Sequence, residues 1–448
     1  MVIAIIGGGP SGLTAALLLA KCGHQVTLCE SAKNLGGLWA ARLNEGNYFE
    51  SENSCKVFQS SYKTTPALFR LIGTRWQDHF TARHDLSRHW LRPFVADCTY
   101  ADLRRFITAL LIYITGIKSY RSESVEHFMA RKHFSQSCQE WMRATALGGI
   151  TGTLRMTVWE LFHRIKFNLS SLFAESTDLL YWNKQPPNSS EGFIPFWEAA
   201  LKEVGVQIKL NCEVESLTKA SSASSNSQVK ISCFDGSHSL ADAIVLAMPS
   251  PALSRLLINS HPAWTDGWGF PGDQIHTVLT ALKYEHLGIC WVFDEPFKND
   301  LPLGGHAVRC GWYPILVQYS QYENNLKPPA KTVVIGSISL NTEFKHHRTG
   351  TLARDHDPKE LASILWEDEQ RADPLLPDPI SINVYGLSAA TQIVDFGPLA
   401  IKNEHAPLYL ATSLNGKAPY FTASVESAIL AGNAASRALD ESVLQLPT

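Results

Sequence analysis

Six residues near the start of the chain, Gly7-Gly8-Gly9-Pro10-Ser11-Gly12, have the types and spacing of a phosphate-binding turn. In a Gly-x-Gly-x-x-Gly pattern the first glycine permits a tight turn and the second lets the backbone approach a pyrophosphate. Glu30 follows 18 residues after Gly12, where a carboxylate can accept hydrogen bonds from ribose hydroxyls. Because an acid here would repel a 2′-phosphate, the pattern predicts a dinucleotide other than NADP. A purely structural glycine turn is the alternative. The predicted cofactor contacts in this stretch are Gly7, Gly9, Pro10, Ser11, Gly12 and Glu30.

The elements that must position these residues are two strands and a helix. Val2–Ile6 is an unbroken apolar run, which is typical of a strand buried on both faces of a parallel sheet. Leu13–Lys21 is rich in alanine and leucine and predicts a helix packed on that sheet. Gln25–Cys29 predicts the second strand. The N-terminus of the helix offers unpaired N–H groups and a partial positive charge to a phosphate.

The composition predicts an ordinary globular protein of more than one domain. The 448 residues exceed a single typical core, and 45% are hydrophobic against 18% charged. A formal net charge of −3 gives no support for a nucleic-acid surface. The nine cysteines include no Cys-x-x-Cys pair, so free thiols, a reducing cytoplasmic location and no structural zinc site are expected. The 16 histidines, including His346-His347, show no metal-ligand spacing.

One apolar stretch bears on membranes. No run of 18 apolar residues occurs, so a transmembrane helix is not predicted. Phe106–Ile117 comes nearest and is flanked by Arg104, Arg105 and Lys118. We expect a buried helix here, with peripheral membrane contact as the alternative.

A second glycine pair, Gly36-Gly37, lies six and seven residues after Glu30. This spacing resembles the two-dinucleotide-binding-domain flavoproteins, in which that loop passes beside the FAD diphosphate. In the flavin amine oxidase superfamily an arginine usually follows the pair and touches FAD, and Leu38 takes its place here. Gly-Gly-Leu-Trp at 36–39 looks more like flavin monooxygenases, but no second Gly-x-Gly-x-x-Gly follows, which counts against a separate NAD(P)H domain.

The middle of the chain extends the resemblance. Residues 192–217 and 242–253 resemble the middle FAD-binding segment of the flavin amine oxidase superfamily. That group includes monoamine and amino-acid oxidases, protoporphyrinogen oxidase and carotenoid desaturases. The resemblance implies that the backbone of Val214 contacts the adenine end of FAD.

The end of the chain resembles the last motif of the superfamily. Ser424-Val425-Glu426-Ser427-Ala428 opens a predicted helix that reaches Leu439, with Thr422 as the candidate N-cap. The resemblance implies that Ser424 and Val425 lie beside the flavin. The acid that usually ends the preceding strand is missing, and Thr412 and Ser413 stand there, so Ser413 becomes a candidate cofactor contact.

The implied fold is an α/β protein with a discontinuous Rossmann-like FAD-binding domain and an inserted α+β substrate lobe. The domain would combine residues 1–61, 192–250 and 386–448. The lobe would combine a helical part, 62–191, with a sheet part, 251–385. Within the sheet part, Thr277–Leu282 and Thr332–Gly336 are predicted strands and Leu361–Gln370 a predicted helix. A monomer or a homodimer is expected.

The implied activity is FAD-dependent removal of a hydride from a C–N or C–C bond of a largely apolar small molecule. Electrons would pass to O₂ or another acceptor. No cysteine follows Cys310, so the FAD is expected to be non-covalent. Many amine oxidases place a lysine near flavin N5, and aligned by eye this position falls near His276, with Lys283 seven residues later. Both are candidate catalytic groups, and a structural role is the alternative for each. An NAD(P)H-dependent flavin monooxygenase and a non-catalytic FAD-binding protein remain alternative functions.

Overall fold

The structure is a computed structural model, and it describes most of the chain. The residues outside the description are 44–47, 49, 53–57, 60–61, 84–95, 97, 145–156, 172–179, 221–227, 270–274, 277–278, 280–283, 302–305, 309, 320–325, 341, 390–398, 413–414, 416–423 and 448. No helix in the described ranges is both long and apolar enough to cross a membrane.

The described residues form eighteen strands and eleven α-helices. The strands are β1 Val2–Ile6, β2 Gln25–Cys29, β3 Ala41–Leu43, β4 Glu50–Glu52, β5 Phe58–Gln59, β6 Phe80–Arg83, β7 Leu180–Asn183, β8 Gln207–Lys209, β9 Val214–Lys219, β10 Val229–Cys233, β11 His238–Ala241, β12 Ala243–Leu246, β13 Tyr284–Phe293, β14 His306–Ala307, β15 Ile315–Gln318, β16 Thr332–Ser339, β17 Ser381–Ala389 and β18 Leu408–Leu410. The helices are α1 Pro10–Lys21, α2 Thr64–Leu71, α3 Trp76–His79, α4 Tyr100–Ile114, α5 Val125–Arg131, α6 Gln136–Ala144, α7 Val158–Ser171, α8 Phe193–Glu203, α9 Ser250–Ile258, α10 Pro358–Ala372 and α11 Val425–Leu439.

A five-stranded parallel sheet, in the order β18-β12-β1-β2-β8, is the centre of the fold. Ile3 and Ile5 of β1 are fully buried on one face, where α1, α8 and α11 pack. Ala4 and Ile6 face a second core that contains α9 and the indoles of Trp264 and Trp268. Burial on both faces explains why β1 and β12 are apolar at every position.

The strands of this sheet come from all three segments that the sequence assigns to the FAD-binding domain, and its α/β class is as predicted. The domain boundaries themselves stay a prediction. One core cluster crosses them, since Trp264, Ile275 and Leu279 pack against the sheet although they fall in the segment assigned to the substrate lobe.

Helices α1 and α11 pack closely across the sheet's first face. A side chain at Gly432 would place its Cβ 2.3 Å from the carbonyl oxygen of Ser11, so α11 requires glycine there. The Ser11 hydroxyl donates a hydrogen bond to the carbonyl of Ala411, the residue after β18. Helix α1 is thereby joined directly to the end of β18, the last described strand.

Two further sheets flank the centre. The antiparallel sheet β11-β10-β9 returns the chain from β8 to β12. The second five-stranded sheet has the order β14-β15-β16-β13-β17 and belongs to the inserted sheet part. Helix α10 packs on it through Trp366, which lies 4.6 Å from Phe293 between ring centroids.

The helical part is held together by its own aromatic core. Phe106 of α4, Phe128 of α5 and Phe162 of α7 are buried together. Asp102 fixes the start of α4, because Thr99 and Asp102 form a reciprocal capping box. The carboxylate of Asp102 also accepts hydrogen bonds from the hydroxyl and the N–H of Ser135, which tie α4 to the segment before α6.

We expect Asp102→Asn to lower the free energy of unfolding by about 2 kcal/mol at pH 7. Burial opposes ionisation of Asp102, but hydrogen bonds from Ser135 and Thr99 outweigh it and lower the pKa of the carboxyl from 3.8 to about 2. A depressed carboxyl pKa stabilises the fold above pH 3.8, and that contribution is lost as the pH falls towards 2. Urea unfolding at several pH values should therefore give a difference between variant and wild type that shrinks across this window. Asp78→Asn, in an exposed pair with Arg75, is the control. An equal effect of the two substitutions would contradict the assignment.

Most predicted elements are confirmed, and three predictions are wrong. The buried helix expected at Phe106–Ile117 is buried on one side only, where Phe106 and Ala109 lie, while Ile107, Leu111 and Ile114 are exposed, and the helix ends at Ile114. The strand predicted for Thr277–Leu282 is wrong at Leu279, which is helical, as are Ile275 and His276. Ile275 and Leu279 are fully buried and four residues apart, the spacing of one helical face, and this outweighs the β propensity of the threonines and valine. Helix α11 is capped by Ser424 rather than Thr422, because the Ser424 hydroxyl accepts the N–H of Ser427. Thr422 lies outside the described residues.

Candidate functional site

The glycine turn after β1 has a backbone that other residues would strain. Gly7 has φ +108°, and a Cβ there would lie 2.4 Å from the carbonyl oxygen of Ala247. A Cβ on Gly12 would lie 1.9 Å from the carbonyl oxygen of Gly7. These two glycines therefore allow β1, β12 and α1 to approach closely.

Gly9 differs from Gly7 and Gly12, because neither its backbone angles nor the described atoms around it require a glycine. It is the N-cap of α1 with φ −79° and ψ 176°, which any residue can adopt, and Pro10 and Ser11 follow in the first turn. Among the described atoms beyond its chain neighbours, the nearest to a Cβ at Gly9 would be Gly37 Cα at 3.9 Å. The turn thus leaves open space beside the N-terminus of α1.

The loop that contains Gly36 and Gly37 contacts the glycine turn at Gly8 and Gly9. The Gly36 N–H donates to the carbonyl of Gly8 at 2.9 Å, and Gly36 and Gly37 both have positive φ, +113° and +55°. A Cβ on Gly37 would lie 3.0 Å from Gly9 Cα. Leu38 follows in a short 3₁₀ turn with 37% of its surface exposed. Two loops that are 27 residues apart in the sequence therefore form one glycine-lined cradle.

Glu30 lies at the edge of this cradle and is buried. Its carboxylate accepts the N–H of Gly8 at 2.6 Å and the N–H of Ala32 at 2.8 Å. The Ser31 hydroxyl donates to it as well, at 3.3 Å. A carboxylate has about four acceptor positions, so capacity for one ligand hydroxyl remains. The carbonyl of Glu30 accepts the N–H of Cys212 at 2.9 Å, which brings the segment before Val214 alongside. Val214 begins β9, paired with Cys233.

The start of α11 contributes the remaining predicted contacts. Ser424 caps the helix, and Val425 is its first residue, half-buried against the core on the α1 side. Thr412 follows β18. Ser413 lies outside the described residues, so its predicted role is untested.

Glu426, in the first turn of α11, joins two distant parts of the chain. It is 3% exposed, and its carboxylate accepts the N–H groups of Lys63, Thr64 and Thr65 at 2.8–2.9 Å. The Thr65 hydroxyl donates to it as well, at 2.5 Å. The first turn of α11 therefore caps the N-terminus of α2. No local signal indicated this contact, since the partners are more than 360 residues apart.

The two catalytic candidates are less well defined. His276 is half-buried, and its Nδ1 lies 3.3 Å from the hydroxyl of Ser254 in α9. Lys283 lies outside the described residues. Their participation in chemistry stays a prediction.

A cluster that the sequence did not predict lies in the sheet part. Ligand atoms of Cys310, His346 and Asp368 fall within 4.8 Å of one another. His346 Nε2 lies 2.5 Å from Asp368, and its Nδ1 accepts the N–H of Thr349, so both ring nitrogens are engaged. Arg348 donates to Asp368 at 3.0 Å, and burial raises the pKa of the Cys310 thiol to about 12. The hydrogen bonds of this cluster join the segment around residue 346 to α10.

The residues of the cradle fit a dinucleotide on structural grounds. The space at Gly9 would be filled by a Cβ, the N-terminus of α1 points its N–H groups towards it, and Glu30 keeps acceptor capacity. The fold and this cradle together are those of an α/β protein suited to bind a dinucleotide.

The family model described as flavin containing amine oxidoreductase matches residues 10–440. The chain belongs to this family of flavin-dependent enzymes. Among solved structures, putrescine oxidase bound to putrescine superposes with a TM-score of 0.64 at 14% identity, covering 98% of this chain and 99% of that one. Cyclohexylamine oxidase from Brevibacterium oxydans IH-35A superposes with a TM-score of 0.63 at 15% identity, covering 98% of both chains.

A local similarity points to another branch. The 4,4'-diapophytoene desaturase of Staphylococcus haemolyticus is 35% identical over 79 residues, which are 18% of this chain. The match spans only 15% of that desaturase. At these identities the solved structures establish the fold, and the desaturase match establishes similarity in one segment.

Proposed function

We propose that the protein is an oxidoreductase that holds FAD non-covalently and removes a hydride from a C–N or C–C bond of a largely apolar small molecule. The observation that carries the proposal is the single cradle formed by Gly9, Gly37 and Glu30. Electrons pass to O₂ or to another acceptor. We propose the cytoplasm as its location, because no disulfide bond joins any of the eight described cysteines.

The chain's own residues bind and polarise the cofactor. The N–H groups at the start of α1 and the open backbone at Gly9 receive the diphosphate, and Glu30 accepts a hydrogen bond from the ribose. Val214 borders the adenine end. Bound FAD supplies the hydride acceptor. The N-terminus of α11, at Ser424 and Val425, would direct its positive dipole end towards the flavin and so stabilise negative charge there.

Two substrate classes are candidates, amines and isoprenoid polyenes. The names of the relatives at fold level support amines, and the name of the desaturase supports an isoprenoid polyene. An NAD(P)H-dependent flavin monooxygenase is the second candidate, because Gly-Gly-Leu-Trp at 36–39 resembles that class.

The purified protein's absorbance spectrum tests the proposal. We expect a yellow protein whose flavin is released by acid precipitation and identified as FAD. Anaerobic addition of putrescine, cyclohexylamine or a polyene precursor should bleach it without NADPH. Bleaching by NADPH alone would support the monooxygenase, and a yellow protein inert to every donor would support a binding protein without turnover.

We expect His276→Ala to slow flavin reduction on the order of 100-fold while FAD stays bound, if His276 handles the substrate proton. Stopped-flow absorbance with the best donor from the panel measures the rate. His238→Ala is the matched control, because that side chain is exposed on β11. Equal rates for the two variants would remove His276 from the mechanism.

A further inference from the structure

Helix α4 carries large apolar side chains on the side that faces away from the protein. Tyr100, Ile107, Leu111 and Ile114 recur at intervals of seven, four and three residues and so share one helical face. Ile117 follows just beyond the helix. We call these five residues the α4 outer face; their exposed fractions are 84% for Tyr100, 51% for Ile107, 55% for Leu111, 40% for Ile114 and 78% for Ile117.

The opposite side of the same helix is already buried. Phe106 and Ala109 pack in the aromatic core of the helical part, and Asp102 anchors the helix through Thr99 and Ser135. A helix that is apolar on two opposite sides needs a second apolar environment. The orientation of α4 is fixed by its buried side, so the α4 outer face is a permanent surface.

The charges around this face are basic at both ends. Arg104 is exposed within the face's first turns, and Lys118 is exposed just after Ile117. Two nearby acids are already engaged: Asp102 is buried under its hydrogen bonds, and Glu123 is bound by Lys118 and Arg131 at 3.2 Å and 2.6 Å. A third acid, Glu126, is exposed in the first turn of α5.

We propose that the α4 outer face docks on an anionic lipid surface, with α4 lying in the plane of the membrane. The helix is about 22 Å long, enough to bury its four apolar side chains together in the headgroup region. Arg104 meets lipid phosphates at one end, and at the other end the group of Lys118, Arg131 and Glu123 carries one net positive charge. A second copy of the chain fits less well, because two-fold pairing in either direction brings a basic end against a basic end.

Co-sedimentation of the full chain with vesicles tests the proposal. We expect binding to vesicles of 70% phosphatidylcholine and 30% phosphatidylglycerol, and at least 10-fold weaker binding to phosphatidylcholine alone. The double variant Ile107→Ser, Leu111→Ser should lose at least 10-fold in affinity for the anionic vesicles. Arg104→Ser should weaken the binding and reduce its salt dependence.

The matched control is Ile258→Ser at the end of α9, since Ile258 is 61% exposed on another surface. It should bind vesicles as wild type does, and all variants should keep the wild-type melting temperature. Three results would overturn the proposal: no wild-type binding at millimolar lipid, an equal loss in Ile258→Ser, or a wild-type dimer that the double variant dissociates without any vesicle binding.

Discussion

Gly9→Ala is expected to leave the protein folded and to remove its cofactor. The backbone at Gly9 suits alanine, and the nearest described atom to the new Cβ would be Gly37 Cα at 3.9 Å. The cofactor-free protein should therefore lose at most about 1 kcal/mol of stability, the usual cost of alanine at an N-cap. The methyl group occupies the space where we propose that the diphosphate binds. FAD affinity should fall on the order of 100-fold or more, about 3 kcal/mol.

Urea unfolding of the apoprotein and fluorescence titration with FAD separate the two effects. Gly23→Ala is the control, because Gly23 has φ +83° with no described atom within 4 Å of its Cβ position. That substitution should cost about 1–2 kcal/mol of stability and leave FAD affinity unchanged. If Gly9→Ala kept wild-type FAD affinity, the cradle would not be the diphosphate site.

Glu426→Ala is expected to be among the most destabilising single substitutions in the protein. It would leave three N–H groups, at Lys63, Thr64 and Thr65, and one hydroxyl unpaired at the buried start of α2. Each buried unpaired group costs about 1–3 kcal/mol before water or relaxation compensates. We expect a total loss of about 3–5 kcal/mol, together with weaker flavin retention because α11 loses its attachment to α2.

The chain contains its own control for this prediction. Ser124-Val125-Glu126 repeats the sequence Ser424-Val425-Glu426 at the start of α5, and the Ser124 hydroxyl accepts the N–H of His127 at 3.2 Å. Glu126 is exposed, so Glu126→Ala should cost only the dipole interaction, less than about 1 kcal/mol. Urea midpoints of the two variants measure the difference. Similar midpoints would mean that the link to α2 adds no stability.

The first thirty residues could be predicted from sequence because their signals are local. The apolar run of β1, the glycine spacing and the position of Glu30 each depend on neighbours within one βαβ unit. The same holds for Gly36-Gly37, whose spacing from Glu30 indicated a second loop at the same site. In each case the residues that determine the local structure lie within one short stretch of sequence.

Contacts between distant segments could not be predicted in this way. The bonds from Glu426 to the start of α2, and the meeting of Cys310, His346 and Asp368, depend on how whole elements pack. Ser-Val-Glu occurs twice in this chain with opposite burial, so its letters alone do not decide the role of the glutamate. Leu279 gives a milder case, since its spacing from Ile275 indicates a helix while Thr277 and Val278 between them favour a strand.

The bond from Ser11 to Ala411 has a consequence for synthesis of the protein. A ribosome adds roughly 5–20 residues per second, so the partner of Ser11 emerges about 20–80 s after Ser11 itself. During that interval β1 and α1 exist without β18 or α11, and an apolar strand edge and helix face stay uncovered. The nascent chain therefore has a long period of exposure to aggregation, in which a chaperone that shields residues 1–30 would raise the yield of folded protein.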